Sequence, residues 1–314
     1  MTVSNIPKRL LKLLSYGLVV AASLFFGLEL VRRFKEIPPF AWNAASVAVF
    51  AICVIGVVFT VALIGLMWRL LLLDQAVRIP LSKAVQIVAI SQIGKYLPGN
   101  VGHFAGRALL AHQAGIPLGI TASTILIETA WTLAIGSGFA AMAFLFYLDA
   151  HTSQTIGQIG PLESGAAALG LLFVPWVGIH VVNRFMPKLS SRLGGGSRLA
   201  PPRLTTAVTV SILMVACFAV LGATLKLQTQ WFFQVDNVPL VPLTLLFTLA
   251  WLVGYVVPGA PGGLGVREAM MVLVLTPLVG AGAAVGLGVS MRVVTVAGDA
   301  VAFLAGLALR RATR

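Results

Sequence analysis

Two arginines, Arg107 and Arg267, stand in stretches apolar enough for lipid, and they are 160 residues apart. The same offset carries Pro98, Gly99 and Gly102 of GKYLPGNVGHFAGRA onto Pro258, Gly259 and Gly262 of GYVVPGAPGGLGVREA, and Gly94 onto Gly254. A guanidinium stays charged and offers a planar fork of donors that fits two phosphate oxygens at once. Inside an apolar hairpin it is costly unless it faces a polar cavity or a partner. The chemistry on offer is therefore anion binding within a membrane. Proline breaks the helix at each place, the glycines bend without a side-chain penalty, and the amides of a following helix start can cradle an anion.

Other polar residues fall near these points. The acids available to pair with the arginines are Glu128, Glu268 and Asp299. Such pairing would make either arginine a structural brace rather than a binding group. Glu268 adjoins Arg267, and helix neighbours do not face each other, so the partner of Arg267 is expected elsewhere. Arg292 and Asp299 are seven residues apart, about two turns, which places both on one face of the last apolar segment as cavity-lining candidates. Glu128 answers an arginine or carries a coupling proton; the residues alone leave both roles open. Lys95 and Tyr96 precede the first break and Tyr255 the second, positions suited to meeting headgroups. Gly263 extends the second glycine cluster. Gly102 with Gly106, and Gly282 with Gly286, have the spacing of close helix packing.

Several chemistries are not supported. His103 and His112 have no His, Cys or acid at ligand spacing, so no metal is expected, although proton handling stays open. Cys53 and Cys217 lie in apolar segments without partner spacing and read as packing residues. Neither a Walker sequence, a dinucleotide fingerprint nor a serine nucleophile elbow is present, so no cofactor and no enzymatic step are expected.

The elements that must position these residues follow from composition. The 314 residues are 59% hydrophobic and 10% charged, against a charged share of roughly a quarter in soluble domains, and the mean hydropathy is +0.98. The expected fold is an all-α polytopic membrane protein forming one membrane domain over 1–314. Six segments have the roughly 20 apolar residues that a span needs: about 13–31, 44–68, 117–147, 164–183, 204–229 and 280–309. Two more, about 81–114 and 238–279, are broken by Pro98-Gly99 and by Pro258-Gly259 with Pro261-Gly262-Gly263. These predict two re-entrant helical hairpins. The basic stretch at Lys8, Arg9 and Lys12 precedes a first span without a small-residue cleavage pattern, so that span is expected to be retained.

The net charge of +13 reflects Lys and Arg at segment ends rather than nucleic-acid binding, and suits contact with anionic lipids. With both termini cytoplasmic, Arg69, Arg78, Lys83, the linker cations between Arg184 and Arg203, and Arg310, Arg311 and Arg314 fall inside, while 149–163, without Lys or Arg, falls outside. Arg32, Arg33 and Lys35 run against this bias and are partly offset by Glu29 and Glu36. On that path a first repeat of about 42–147 and a second of about 204–309 have opposite orientation, joined by a cytoplasmic linker of about 184–203 expected to be flexible. Inverted repeats with broken helices at their interface are a transporter architecture.

The GKYLPGNVG run with Arg107, and the PGGLGVRE run from Pro261 to Glu268, resemble the membrane domain of the lysylphosphatidylglycerol synthase/flippase family, which also occurs free-standing. The resemblance implies a prokaryotic plasma (inner) membrane protein that moves lipids. Family members are linked with flipping aminoacylated phosphatidylglycerol, and free-standing relatives with lipid-linked sugars of envelope glycan assembly. The soluble aminoacyl-transfer domain of two-part members is not in this chain, so synthesis is not expected. The expected partners are membrane lipids with anionic headgroups and an envelope-lipid biosynthetic enzyme, with no nucleic acid. The alternatives are a non-transporting partner that presents a lipid carrier to a glycosyltransferase, and a small-solute or ion transporter.

Overall fold

The computed structural model describes residues 8–38, 43–97, 101–144, 147, 161–193 and 198–312. Among these the regular structure is wholly helical. Helix α1 spans Lys8–Arg33, α2 Ala44–Asp74, α3 Leu81–Gln92, α4 Gly102–Gln113, α5 Leu118–Ala143, α6 Pro161–Phe185, α7 Pro187–Leu193, α8 Leu204–Phe232, α9 Leu240–Val256, α10 Val266–Val279 and α11 Ala281–Ala312. Five segments are apolar and long enough to cross a membrane: Ala44–Asp74, Leu118–Ala143, Leu204–Phe232, Pro261–Val279 and Ala281–Arg311. The chain is an all-α integral membrane protein.

Four of the six expected spans coincide with α2, α5, α8 and α11. The expected spans at 13–31 and 164–183 lie in α1 and α6, helices of 26 and 25 residues. The two interrupted regions are broken, as their prolines dictate. In the first, α3 ends in a 3-10 turn at Ile93–Tyr96 and α4 starts at Gly102; Pro98 and Gly99 lie outside the described residues. At 12 residues each, α3 and α4 are about 18 Å long, short of roughly 30 Å of hydrocarbon. In the second, α9 stops before Pro258, a 3-10 turn covers Pro261–Gly263, and α10 follows. Gly262 and Gly263 adopt φ of 57° and 74°, left-handed values that a side chain disfavours. The apolar stretch from Pro261 to Val279 reaches span length where the sequence predicts only a returning limb.

The helix order repeats. Starts at 44, 81, 102 and 118 in the first half correspond to starts at 204, 240, 266 and 281 in the second. Helices α2 and α8, the first of each set, pack along each other in opposite directions: Cys53 Sγ donates to the Thr224 carbonyl (3.5 Å), and Cys217 Sγ donates to the Thr60 carbonyl (4.0 Å). Both thiols are buried, in the packing role expected of them. The fourth helix of each half covers the broken pair of the other, α11 on α3 and α5 on α9. The core accordingly runs from the α2/α8 seam to α9, α10 and α11, through Phe232, Leu243, Phe247, Met271 and Met291.

Two expectations concern the periphery. Arg33 donates to Glu29 (2.7 Å) and Glu36 (3.1 Å), and Arg32 lies 3.8 Å from Glu29, so two of the three cations that oppose the charge bias meet acids one turn away. The linker, expected to be flexible, is tied down in its described residues. Asn183 Nδ2 donates to the Leu199 carbonyl (2.8 Å), the Leu199 amide to Ser190 Oγ (2.9 Å), Trp176 Nε1 to the Pro202 carbonyl (3.0 Å) and the Arg203 amide to Asp74 (2.9 Å). Those polar partners outweigh the breaking tendency of Pro201 and Pro202; Gly194, Gly195 and Gly196 lie outside the described residues.

Candidate functional site

The two breaks meet. The turn at Ile93–Tyr96 contacts the turn at Pro261–Gly263, and a Cβ on Gly262 would stand 3.2 Å from the Tyr96 ring. Beside this meeting point a cavity of about 180 Å³ opens between the halves, lined by Lys95, Tyr96, Arg107, Arg267, Arg292 and Asp299 among others. Arg107 and Arg267 thus both line one chamber. Gly262, Gly263 and Gly254 contribute backbone to its wall. Gly102 instead serves packing, because a Cβ there would run into the Gly94 carbonyl oxygen. Pro258 and Gly259 belong to the turn that ends α9.

The charges are distributed unequally. Arg107 on α4 is nearly enclosed and donates through Nη1 to both carboxylate oxygens of Glu128 on α5, at 2.9 and 2.8 Å. Trp68 lies under the guanidinium with the ring centroid 5.7 Å away. Arg292 on α11 donates to Glu268 at 2.8 Å and to the Gly262 carbonyl at 2.9 Å. Lys95 lies 2.7 Å from Asp299, and Tyr96 Oη donates to the same oxygen at 2.5 Å. The second oxygen of Glu268 accepts from the Gly265 amide at 2.7 Å, so this carboxylate also closes the start of α10.

That leaves Arg267. Among the described residues four cations serve this chamber and three carboxylates answer them, each engaged chiefly with a different cation. Arg267 reaches Thr295 Oγ1 at 3.3 Å and comes only within 3.6 Å of the Glu268 oxygen that Arg292 already holds. Its Nε, like that of Arg107, has no partner among the described residues, and its side chain is 8% exposed. A buried guanidinium without a dedicated acid is unfavourable by several kcal/mol, to order of magnitude, a cost that an oxyanion placed beside it would offset. In the sequence Arg107 and Arg267 are equal candidates; the structure separates them, since Glu128 occupies Arg107. Glu268 takes Arg292 as its main partner, consistent with its awkward placement beside Arg267. Arg292 and Asp299 do line the cavity and pair elsewhere rather than with each other.

Further polar and aromatic residues complete the chamber, among them Thr129, Thr132, Trp251 and Thr295, which the sequence does not single out. Thr295 sits between Arg292 and Asp299 at helical spacing, and Thr129 and Thr132 follow Glu128 on α5; the three-and-four periodicity around each charge is the signal that could have found Thr295 and Thr132. Trp251 stacks on Tyr255 with centroids 4.9 Å apart, and both line the cavity. His103 also faces it, with Nδ1 unpartnered among the described residues. No group of three His, Cys, Asp or Glu gathers among the described residues.

A family model described as the lysylphosphatidylglycerol synthase TM region matches residues 12–302, nearly the whole chain. A search of curated proteins finds no match.

Proposed function

Since the chain belongs to the lysylphosphatidylglycerol synthase TM region family, we propose that it is a lipid flippase that moves a phosphate-containing lipid between leaflets, with Arg267 holding the headgroup. The observation carrying this reading is the surplus cation in a chamber shared by both halves. A phosphodiester or diphosphate brings the oxyanion that Arg267 lacks, while acyl or polyprenyl tails stay in the bilayer. The headgroup is that of an aminoacylated phospholipid or a polyprenyl-phosphate-linked sugar. The chain acts on this reading as a carrier and not as an enzyme.

The antiparallel α2 and α8 support an inverted repeat. With both termini on the cytoplasmic side of a prokaryotic plasma membrane, the α3–α4 pair then enters from the cytoplasm and the α9–α10 pair from outside, as re-entrant hairpins. The contacts of Lys95 and Tyr96 with Asp299 close one arrangement; their release, with equivalent closure on the other side, gives alternating access.

The test is reconstitution in liposomes with labelled phosphatidylglycerol or a labelled polyprenyl-phosphate sugar, following transfer between leaflets. The wild type should accelerate transfer and Arg267→Gln should lose most of that acceleration. Transport equal to wild type in both Arg267→Gln and Arg107→Ala overturns the site. Tight lipid binding without transfer identifies the chain instead as a carrier-presenting partner.

A further inference from the structure

A second cavity, of about 160 Å³, lies where α3, α4 and α11 come together away from the central chamber, and it shares no lining residue with that chamber. Its polar wall is formed by Lys83 in the first turn of α3, Gln86 one turn later, Gln113 at the end of α4 and Arg310 in the last turn of α11. Among the described residues no carboxylate lines it. Gln86 is 3% exposed, and its amide nitrogen has no partner among the described residues. Arg310 donates to Gln113 Oε1 at 3.3 Å, which steers the guanidinium toward the pocket. The remaining wall is apolar, Ile87, Ile90 and Leu110, and the neighbouring helix surfaces expose Leu81, Leu109, Leu304 and Leu309.

We propose that this cavity is a second lipid-phosphate site, which takes the headgroup of an anionic phospholipid between Lys83 and Arg310 while its acyl chains lie along the exposed leucines. Two cations on one wall call for an anion, the buried amide adds an unused donor, and the apolar surroundings favour a ligand with tails over a free ion. Basic pockets between transmembrane helices bind such headgroups in this way. The site also bridges the halves, because α3 and α4 belong to the first and α11 to the second. On that seam Gly306 lets α11 approach so closely that a Cβ would meet Ile90 at 3.0 Å and Ala89 at 3.2 Å. A lipid held there tightens the covering of the α3–α4 pair by α11. This proposal does not rest on Arg267 or on the flippase reading.

The experiment uses the full chain, purified and relipidated with either phosphatidylglycerol or phosphatidylcholine, with bound lipid counted by native mass spectrometry and thermal melting followed in parallel. Inorganic phosphate is a third arm. Phosphatidylglycerol should be retained by the wild type and raise its melting temperature, whereas phosphatidylcholine and inorganic phosphate should not. The Lys83→Gln/Arg310→Gln variant should lose about thirtyfold in phosphatidylglycerol affinity, following the contribution of two basic groups, and Lys83→Arg/Arg310→Lys should retain it. Arg267→Gln should also retain it, which separates this site from the central one. Equal retention of phosphatidylglycerol by the double Gln variant, or equal stabilisation by the two lipids, overturns the proposal. Stabilisation by inorganic phosphate equal to that by phosphatidylglycerol overturns the lipid assignment in favour of a free-anion site.

Discussion

Tyr96, at the break of the first half, donates its hydroxyl proton to Asp299 on the last helix across 203 residues of chain, at 2.5 Å. With Lys95 on the same oxygen, the contact fastens the tip of one half to the covering helix of the other. Tyr96→Phe removes a hydrogen bond to a charged group, for which about 2 kcal/mol is the expected loss. The denaturation midpoint of the purified protein in micelles should fall accordingly. A midpoint equal to wild type would mean that Asp299 is held by Lys95 alone.

Arg107 and Glu128 form a buried pair, so each needs the other. Arg107→Leu and Glu128→Leu should each destabilise by about 3–5 kcal/mol, because each strands a charge. The double Leu variant should be more stable than either single variant. Additive losses in a double-mutant cycle of unfolding free energies would show that the pair is not coupled.

Arg267 should behave in the opposite way. No carboxylate depends on it alone, so Arg267→Gln should cost less stability than Arg107→Leu while lowering affinity for a phosphate-bearing lipid about tenfold or more, as loss of a charge-assisted contact implies. Arg267→Lys should restore only part of the affinity, because a point charge replaces a planar fork. Melting curves and lipid-binding isotherms on the same preparations provide both comparisons. Equal binding by wild type and Arg267→Gln would remove Arg267 from the site.

Close approach makes a sharper prediction within one break. A Cβ at Gly94 would meet the Gly102 carbonyl carbon at 2.6 Å, whereas at Gly106 the nearest atom is a Ser91 side-chain carbon at 3.5 Å. Gly94→Ala should cost about 1–3 kcal/mol as overpacking, and Gly106→Ala should lie within about 0.5 kcal/mol of wild type. Expression level and melting temperature of the two variants, compared side by side, decide the matter.

What the sequence discloses and what it hides divide along physical lines. Local chemistry is readable: proline ends a helix wherever it falls, and a lone arginine in an apolar run announces a polar surrounding. The breaks after Tyr96 and Val256 and the placement of Arg292 and Asp299 on one face follow from such rules. Partner choice is not readable, because it is settled by packing between distant segments. Nothing in the chain near Lys95 points to Asp299, and the equality of the two arginines in sequence conceals that only one has an acid to itself. The contacts of the linker are hidden for a related reason, since glycine and proline report backbone freedom while the tethering of Leu199 by Asn183 and Ser190 depends on where the chain returns.

The exchange of covering helices, α11 over α3 and α5 over α9, means that each half completes the packing of the other. A solitary copy of such a unit would leave its interrupted limbs bare unless a second copy lent its last helix in return. In the present chain that reciprocal loan is made permanent by a single covalent strand, and the orientation of one half dictates that of the other.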